Sequence, residues 1–275
     1  WENLPVYEGG KQITYSVEET LPTGSEYTKS GDDTTLPAVK EDSGTIAITN
    51  SYTPEETQLK VTKTWNDNND QDGKRASVGA TVQLYQIING VKTAIGEAIA
   101  VGAGDDWSYI WTKLAVYSAG NKITYAVLET LPDGSEYTKS GDDVTKEAVK
   151  GDSGTIAITN SYNTETTKVT ATKTWSDNDN QDGKRPSDAT VQLYKTVDGT
   201  KTAVGDAVTV PATDGTINVW ENLPVYEGGK QITYSVEETL PAGSEYTKSG
   251  DDTTLPAVKN DSGTIAITNS LQTDP

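Results

Sequence analysis

Apolar and polar residues alternate along this chain in short runs broken by Gly, Asp and Asn, and no segment of any length keeps a helical period. One run, Gly-Thr-Ile-Ala-Ile-Thr-Asn-Ser, stands unchanged at Gly44–Ser51, Gly154–Ser161 and Gly263–Ser270. At the two-residue period of a strand, Ile46, Ile48 and Asn50 share one face while Thr45, Ala47, Thr49 and Ser51 share the other. Upstream, Leu59–Trp65 alternates as a first strand and Asn66–Arg75 reads as a loop rich in Asp, Asn and Gly. Strands are predicted at Thr81–Tyr85 and Lys92–Val101, joined by a hairpin at Asn89-Gly90. Others follow at Trp107–Trp111, Lys122–Glu129, near Glu136–Lys139 after a turn at Pro132-Asp133-Gly134, and at Gly154–Ser161. About seven short strands at this spacing predict an all-β fold, a β-sandwich of immunoglobulin-like architecture.

The pattern repeats at about 110 residues, close to one immunoglobulin-sized domain. Trp1, Trp111 and Trp220 share a register, so the chain starts inside a unit. Residues 1–53 read as the C-terminal half of a module whose front half is absent, and 57–163 and 166–271 as complete modules. The half module is expected to be disordered unless complementing strands come from chain not present or from a neighbour, because half a sandwich exposes its core and its edges. Tyr52–Thr57 and Tyr162–Thr167 are short, polar linkers of the stiff kind.

Three polar residues interrupt apolar faces at fixed places. Val61, Lys63 and Trp65 share a face, as do Ala171, Lys173 and Trp175. Ile123, Tyr125, Val127 and Glu129 share another, matched by Ile13, Tyr15, Val17, Glu19 and by Ile232, Tyr234, Val236, Glu238. The third is the Asn of the closing strand. A buried amide without partners costs roughly 1 to 3 kcal/mol, so a repeated core Asn asks for a reason. Desolvation favours neutral forms, lowering a Lys and raising a Glu, so a free amine can meet a protonated carboxyl. The amine is then a nucleophile. The acid can hydrogen-bond the Asn carbonyl and relay protons as ammonia leaves, and the product is an amide that buries no charge. The plainer alternative is a buried Lys–Glu ion pair with Asn as its hydrogen-bond partner.

Composition narrows the chemistry. The chain of 275 residues has 22 basic and 41 acidic side chains, a net charge of −19, which repels nucleic acid and anionic membrane. Neither is expected as a partner, and no apolar run approaches a membrane span. Cys, Met, Phe and His are absent, which excludes disulfides, thiolate metal sites and imidazole catalysis. No cofactor is expected.

Val-Thr-Lys-Thr-Trp, the loop through Gln-Asp-Gly-Lys-Arg, Tyr-Ser-Val-Glu-Glu-Thr-Leu-Pro and Ile-Thr-Asn-Ser-Tyr together resemble the Cna B-type (collagen adhesin B-region) repeats of Gram-positive surface proteins and pilins. The resemblance covers both full units and the half unit. It implies tandem Ig-like, prealbumin-like β-sandwich modules in which a first-strand Lys joins a last-strand Asn through a self-formed isopeptide bond, assisted by a Glu on a facing strand. Carried over by motif, the bonds are Lys63 to Asn160 and Lys173 to Asn269, with Glu129 and Glu238 as the assisting acids. Glu19 and Asn50 form an incomplete triad, since their lysine would precede Trp1.

The function implied is a structural stalk on the bacterial cell surface, extracellular and wall-anchored through sequence not present here. It is not an enzyme beyond one autocatalytic turnover. The rival reading makes these modules themselves bind a host matrix protein or glycan; in the first reading such a partner belongs to the full-length protein. Two signals are set aside. Asn68–Gly73 and Asn178–Gly183 space oxygen side chains like a calcium loop, but Gly79 and Ala189 stand where its closing Glu is needed, so no metal is expected. Leu21-Pro22-Thr23-Gly24 lacks a residue of a sortase signal and reads as a hairpin turn. The repeated Ser-Glu-Tyr-Thr-Lys-Ser-Gly-Asp-Asp segment reads as exposed spacer surface.

Overall fold

The computed structural model describes residues 1–75, 80–102 and 106–272. Every regular element among them is a strand. The first segment holds β1 (Tyr7–Glu8), β2 (Lys11–Gln12), β3 (Thr14–Ser16), β4 (Thr28–Ser30), β5 (Thr35–Pro37) and β6 (Thr49–Ser51). The second repeat begins with β7 (Glu56–Asn66), β8 (Ala80–Ile88), β9 (Val91–Val101) and β10 (Ser108–Ala115). It continues with β11 (Tyr117–Ser118), β12 (Asn121–Lys122), β13 (Thr124–Thr130), β14 (Thr138–Ser140), β15 (Thr145–Glu147) and β16 (Thr155–Ser161). The third starts with β17 (Thr166–Ser176), β18 (Thr190–Val197), β19 (Thr200–Thr209), β20 (Gly215–Pro224) and β21 (Tyr226–Glu227). It ends with β22 (Lys230–Gln231), β23 (Thr233–Thr239), β24 (Thr247–Ser249), β25 (Thr254–Pro256) and β26 (Gly263–Ser270).

In the second repeat one sheet runs β10-β7-β16-β14 and the other β15-β13-β8-β9; the third repeats this as β20-β17-β26-β24 and β19-β18-β23-β25. Each repeat is thus an Ig-like sandwich, with alternate side chains of the two sheets filling the core between them. Leu59, Val61, Val82, Leu84, Ile123, Tyr125, Val127, Ile156 and Ile158 are buried together in the second repeat, and their counterparts in the third. The first and last strands of a repeat lie side by side and parallel, with Lys63 beside Ile158 and Trp65 beside Asn160. The third repeat keeps the register, with Lys173 beside Ile267 and Trp175 beside Asn269. The short strands β11 and β15, with their counterparts, escaped the sequence reading because two- and three-residue strands carry too little alternation to show.

A glycine lies close against the closing strand in each copy. Gly141, at φ 83°, lies so near β16 that a Cβ would stand 2.1 Å from the Ala157 carbonyl oxygen, and Gly31 and Gly250 meet Ala47 and Ala266 the same way. Only glycine fits there. Between repeats, a Cβ at Gly73 would stand 2.6 Å from Gly229 Cα. Beside that contact Gly229 N donates to Gln71 O at 3.0 Å, and Glu165 N, in the linker, donates to Asp72 Oδ2 at 2.7 Å. The Asp/Asn-rich loop of the second repeat therefore seats the linker and the turn between β21 and β22 of the third.

The first segment keeps the strand pairings of its counterparts, β3 with β5 and β4 with β6. Its would-be core side is open: Ile13, Tyr15, Val17, Ile46 and Ile48 are half-buried where the equivalent residues of the other repeats are covered. Trp1 is 92% exposed, and among the described residues no strand of another repeat pairs with this segment.

Candidate functional site

Alternation on three strands carries the Lys, Glu and Asn into one place. Lys63 projects inward from β7 and Asn160 from neighbouring β16, while Glu129 reaches across from β13 of the facing sheet. All three are buried, with Asn160 at 0% exposure and Glu129 at 1%. Lys63 Nζ stands 3.4 Å from Glu129 Oε1, and Asn160 Nδ2 donates to the same oxygen at 3.2 Å. The third repeat matches it: Lys173 Nζ is 3.5 Å from Glu238 Oε1, and Asn269 Nδ2 donates to that oxygen at 2.9 Å. One carboxyl oxygen thus touches both the amine and the amide.

The site is under-satisfied. Glu129 Oε2, Asn160 Oδ1, Glu238 Oε2, Asn269 Oδ1 and Lys173 Nζ are buried without a hydrogen-bond partner. Such groups are rare in a finished core and call for an explanation. Burial pushes the Lys63 ammonium down to about 8, with the nearby Glu129 carboxylate opposing the shift. Burial also pushes Lys173 down and the Glu129 carboxyl up. Each lysine lies against an indole, Lys63 Nζ 4.2 Å from the Trp65 ring centre and Lys173 Nζ 4.3 Å from that of Trp175. The indoles help shield the amines from water. The carboxyl meets the amide nitrogen, where the sequence reading had it bonding the carbonyl. An ionised carboxylate only accepts, so it takes the N–H; a protonated one would donate to Oδ1 of the turned amide.

In the first segment Asn50 Nδ2 donates to Glu19 Oε1 at 2.8 Å, with Asn50 exposed, Glu19 half-buried and Glu19 Oε2 unpartnered. Without a first strand alongside, the Asn and Glu still meet and no lysine joins them.

The Asp/Asn-rich loops have another occupation. Asp67 is 2% exposed; its Oδ1 accepts from Asp70 N and Arg75 Nη2, and its Oδ2 from Arg75 Nε and from Tyr137 Oη at 2.7 Å. Burial alone would raise this carboxyl, but the bonds from Arg75, Tyr137 and the Asp70 amide hold it below the usual range. Asp177, Arg185 and Tyr246 repeat the arrangement. Three successive left-handed residues, Asn68, Asn69 and Asp70, turn the loop, a conformation Asn and Asp tolerate better than most residues. Its oxygens serve protein donors, and among the described residues no group of three or more acidic, His or Cys side chains is placed to hold a metal. Gly79 lies outside the described residues. No helix is long and apolar enough to cross a membrane.

Sequence reasoning missed Asp67, Asp72 and Lys139. It also took Ser-Glu-Tyr-Thr-Lys-Ser-Gly-Asp-Asp for plain surface. Most of the segment is indeed exposed, but Tyr137 is buried on Asp67, and exposed Lys139 has its Nζ donating to Glu129 O at 2.6 Å. The signal available was the segment's identity in three places, which a spacer does not need.

A family model described as the Cna protein B-type domain matches residues 59–161 and 169–270. The collagen adhesin of Staphylococcus aureus is 36% identical over 238 residues, 86% of this chain, and the chain spans 17% of that protein's length. Among solved structures, two B repeat units of the Staphylococcus aureus collagen-binding protein share 31% identity, with 98% of this chain and 61% of that one covered at a TM-score of 0.42. A minor pilin of Streptococcus agalactiae is 16% identical, with 80% of this chain and 98% of the pilin covered at a TM-score of 0.30.

Proposed function

This chain belongs to the Cna protein B-type domain family, and on that footing we propose that its two full repeats are stalk modules of a Gram-positive surface adhesin, each closed by a self-formed amide. Residues 57–163 and 166–271 are the two modules, and 1–53 is the later half of another. The observation that carries the reading is the single buried carboxyl oxygen that touches both amine and amide in each repeat.

In the reaction, neutral Lys63 Nζ attacks Asn160 Cγ, and the carboxyl of Glu129 supplies a proton to the amide oxygen as charge develops there. The same acid takes the proton from the attacking nitrogen and passes it to the leaving amide nitrogen. The Cγ–Nδ2 bond breaks and ammonia leaves, the carbonyl re-forms and returns its proton to Glu129, and a Cγ–Nζ bond remains. Lys173, Glu238 and Asn269 do the same. Burial shifts Lys63 and Lys173 towards the neutral amine and Glu129 towards the protonated acid, and low dielectric strengthens every proton contact in the transition state. Closure satisfies polar groups that otherwise stand unpartnered in the core.

Joining Lys63 to Asn160 closes a loop of about 100 residues, which in the chain-entropy treatment of disulfides is worth roughly 4.7 kcal/mol. The mechanical effect is larger. The first and last strands are parallel neighbours, so tension enters a module at one end and leaves at the other. With Lys63 bonded to Asn160 the load bypasses nearly the whole sandwich. Such modules are structural, work outside the cell, and hold a binding region away from the wall.

The test is the intact mass of the folded chain. Two ammonia molecules below the sequence mass, both regained in the Glu129→Ala, Glu238→Ala double variant, is the expected result. A mass equal to the sequence would leave buried ion pairs and sink the covalent reading.

A further inference from the structure

We propose that Lys139 with Asp142, and Lys248 with Asp251, form a clamp that positions the acid of each cross-linking site. The inference rests on the reading of these sites as amide-forming. Lys139 stands directly opposite Asn160 in the β14–β16 pair, and Lys248 opposite Asn269 in β24–β26. From there the ammonium crosses to the facing sheet. Lys139 Nζ donates to the backbone oxygen of Glu129 at 2.6 Å and to Asp142 Oδ2 at 2.9 Å. Lys248 Nζ donates to Glu238 O at 2.5 Å and to Asp251 Oδ2 at 2.7 Å, and Asp251 Oδ2 also accepts from Glu238 N at 3.4 Å. The strand that carries the acid is therefore tied, at the acid itself, to the strand that carries the amide.

This tie sits where sheet pairing gives out. β13 is paired with β15 only from Thr124 to Ala126, three residues short of the acid. Beyond it, the edge is taken over by the loop after β14: Asp143 N donates to Val127 O at 2.8 Å, and Lys139 takes the Glu129 carbonyl. Without the lysine that carbonyl has no strand to meet, and the acid stands on a free edge. Reacting groups held within a fraction of an ångström are what an intramolecular attack needs.

The first segment shows the clamp working alone. Its core is open and it has no lysine nucleophile, yet Lys29, opposite Asn50, donates to Glu19 O at 2.5 Å and pairs with Asp32 at 2.5 Å. There Glu19 still meets Asn50 at 2.8 Å. The Asn–Glu contact thus survives loss of the packing around it and persists where the clamp persists. Lys139 and Lys248 touch neither the amine nor the amide that react, so they are positioning residues.

The experiment uses the full chain, made by cell-free synthesis, quenched at intervals and digested, with the linked and unlinked Lys63–Asn160 and Lys173–Asn269 peptides measured by mass. Each chain carries its own clock, since one site can be altered and the other left intact. In Lys139→Met the second repeat is expected to close about tenfold or more slowly than the third, a modest share of what misplacement of a reacting group can cost. Lys139→Arg, which keeps the charge and the donor, restores the rate, and Lys248→Met transfers the delay to the third repeat. Equal rates at both sites in Lys139→Met, or a delay that Lys139→Arg fails to relieve, overturn the clamp. Should amide exchange show that Lys139→Met does not fold, Asp142→Asn takes its place with the same two outcomes. A wild-type chain linked at neither site overturns the amide reading and the clamp with it; a wild-type chain linked at both, with no delay in the variant, removes the clamp alone.

Discussion

At the scale of single residues, the buried lysine decides how the unlinked fold responds to pH. Burial holds the folded Lys63 near 8 against an ordinary value of 10.5. Between those values the unfolded chain keeps a proton that the folded one has lost, so stability rises with pH across that window. Below it both states are protonated, and the full cost of the buried ammonium remains. Asn160→Ala keeps the amine unlinked, so denaturant titrations of this variant are expected to gain stability between about pH 8 and 10.5 relative to the linked chain. In the linked chain Lys63 is an amide and has no such titration. A variant and wild type that move together over that window would mean the amine is not held neutral by its site. Replacing Lys63 with Met is expected to abolish the second-repeat link alone, leaving a chain lighter than its sequence by one ammonia. The Lys, Glu and Asn were legible because each stands alone on an apolar face in successive copies. Asp67 was not, because Tyr137, which buries it, meets it only when distant strands close.

At the scale of elements, the closing strand must lie flush beside the first. Gly141 permits this, for a Cβ there would strike the Ala157 carbonyl and its φ of 83° disfavours any side chain. Gly141→Ala is expected to destabilise the second repeat by about 2 kcal/mol or more, the range of backbone strain combined with steric overlap. Peptide mapping would show a smaller linked fraction for Asn160 and an unchanged one for Asn269, since the third repeat has its own Gly250. Loss of Arg75 acts on another element. Arg75→Met leaves the buried Asp67 with Tyr137 and the Asp70 amide only, and is expected to cost about 3 kcal/mol, as for a broken buried pair. Chemical denaturation of the variant would read it; a loss below about 0.5 kcal/mol, typical of ordinary surface substitutions, would mean the loop is not held by this pair.

At the scale of the whole molecule, the arrangement concerns tension and its direction. Pulled from both ends, each linked repeat is expected to resist extension, while Glu129→Ala adds one unfolding step of about 100 residues, roughly 35 nm at about 3.5 Å per residue. Single-molecule force spectroscopy would show that step or its absence. The joint between the second and third repeats depends on the Gly73–Gly229 approach and on the Asp72 bond to the linker. Gly73→Val is expected to loosen the joint without touching either link, so residual dipolar couplings of the two repeats should lose their common alignment while the mass deficit stays at two ammonia.

By itself the sequence determined the all-strand class, the faces of the strands and the three polar residues that break them. These depend on local alternation and on comparison between copies, and both are written along one dimension. Only the tertiary structure decided that the first and last strands run parallel as neighbours, that one oxygen of Glu129 lies between amine and amide, and that Lys139 reaches the acid's carbonyl. Those facts join residues far apart in the chain. A period of two says which face a side chain takes, but it carries no information on which strand will lie beside it or across from it.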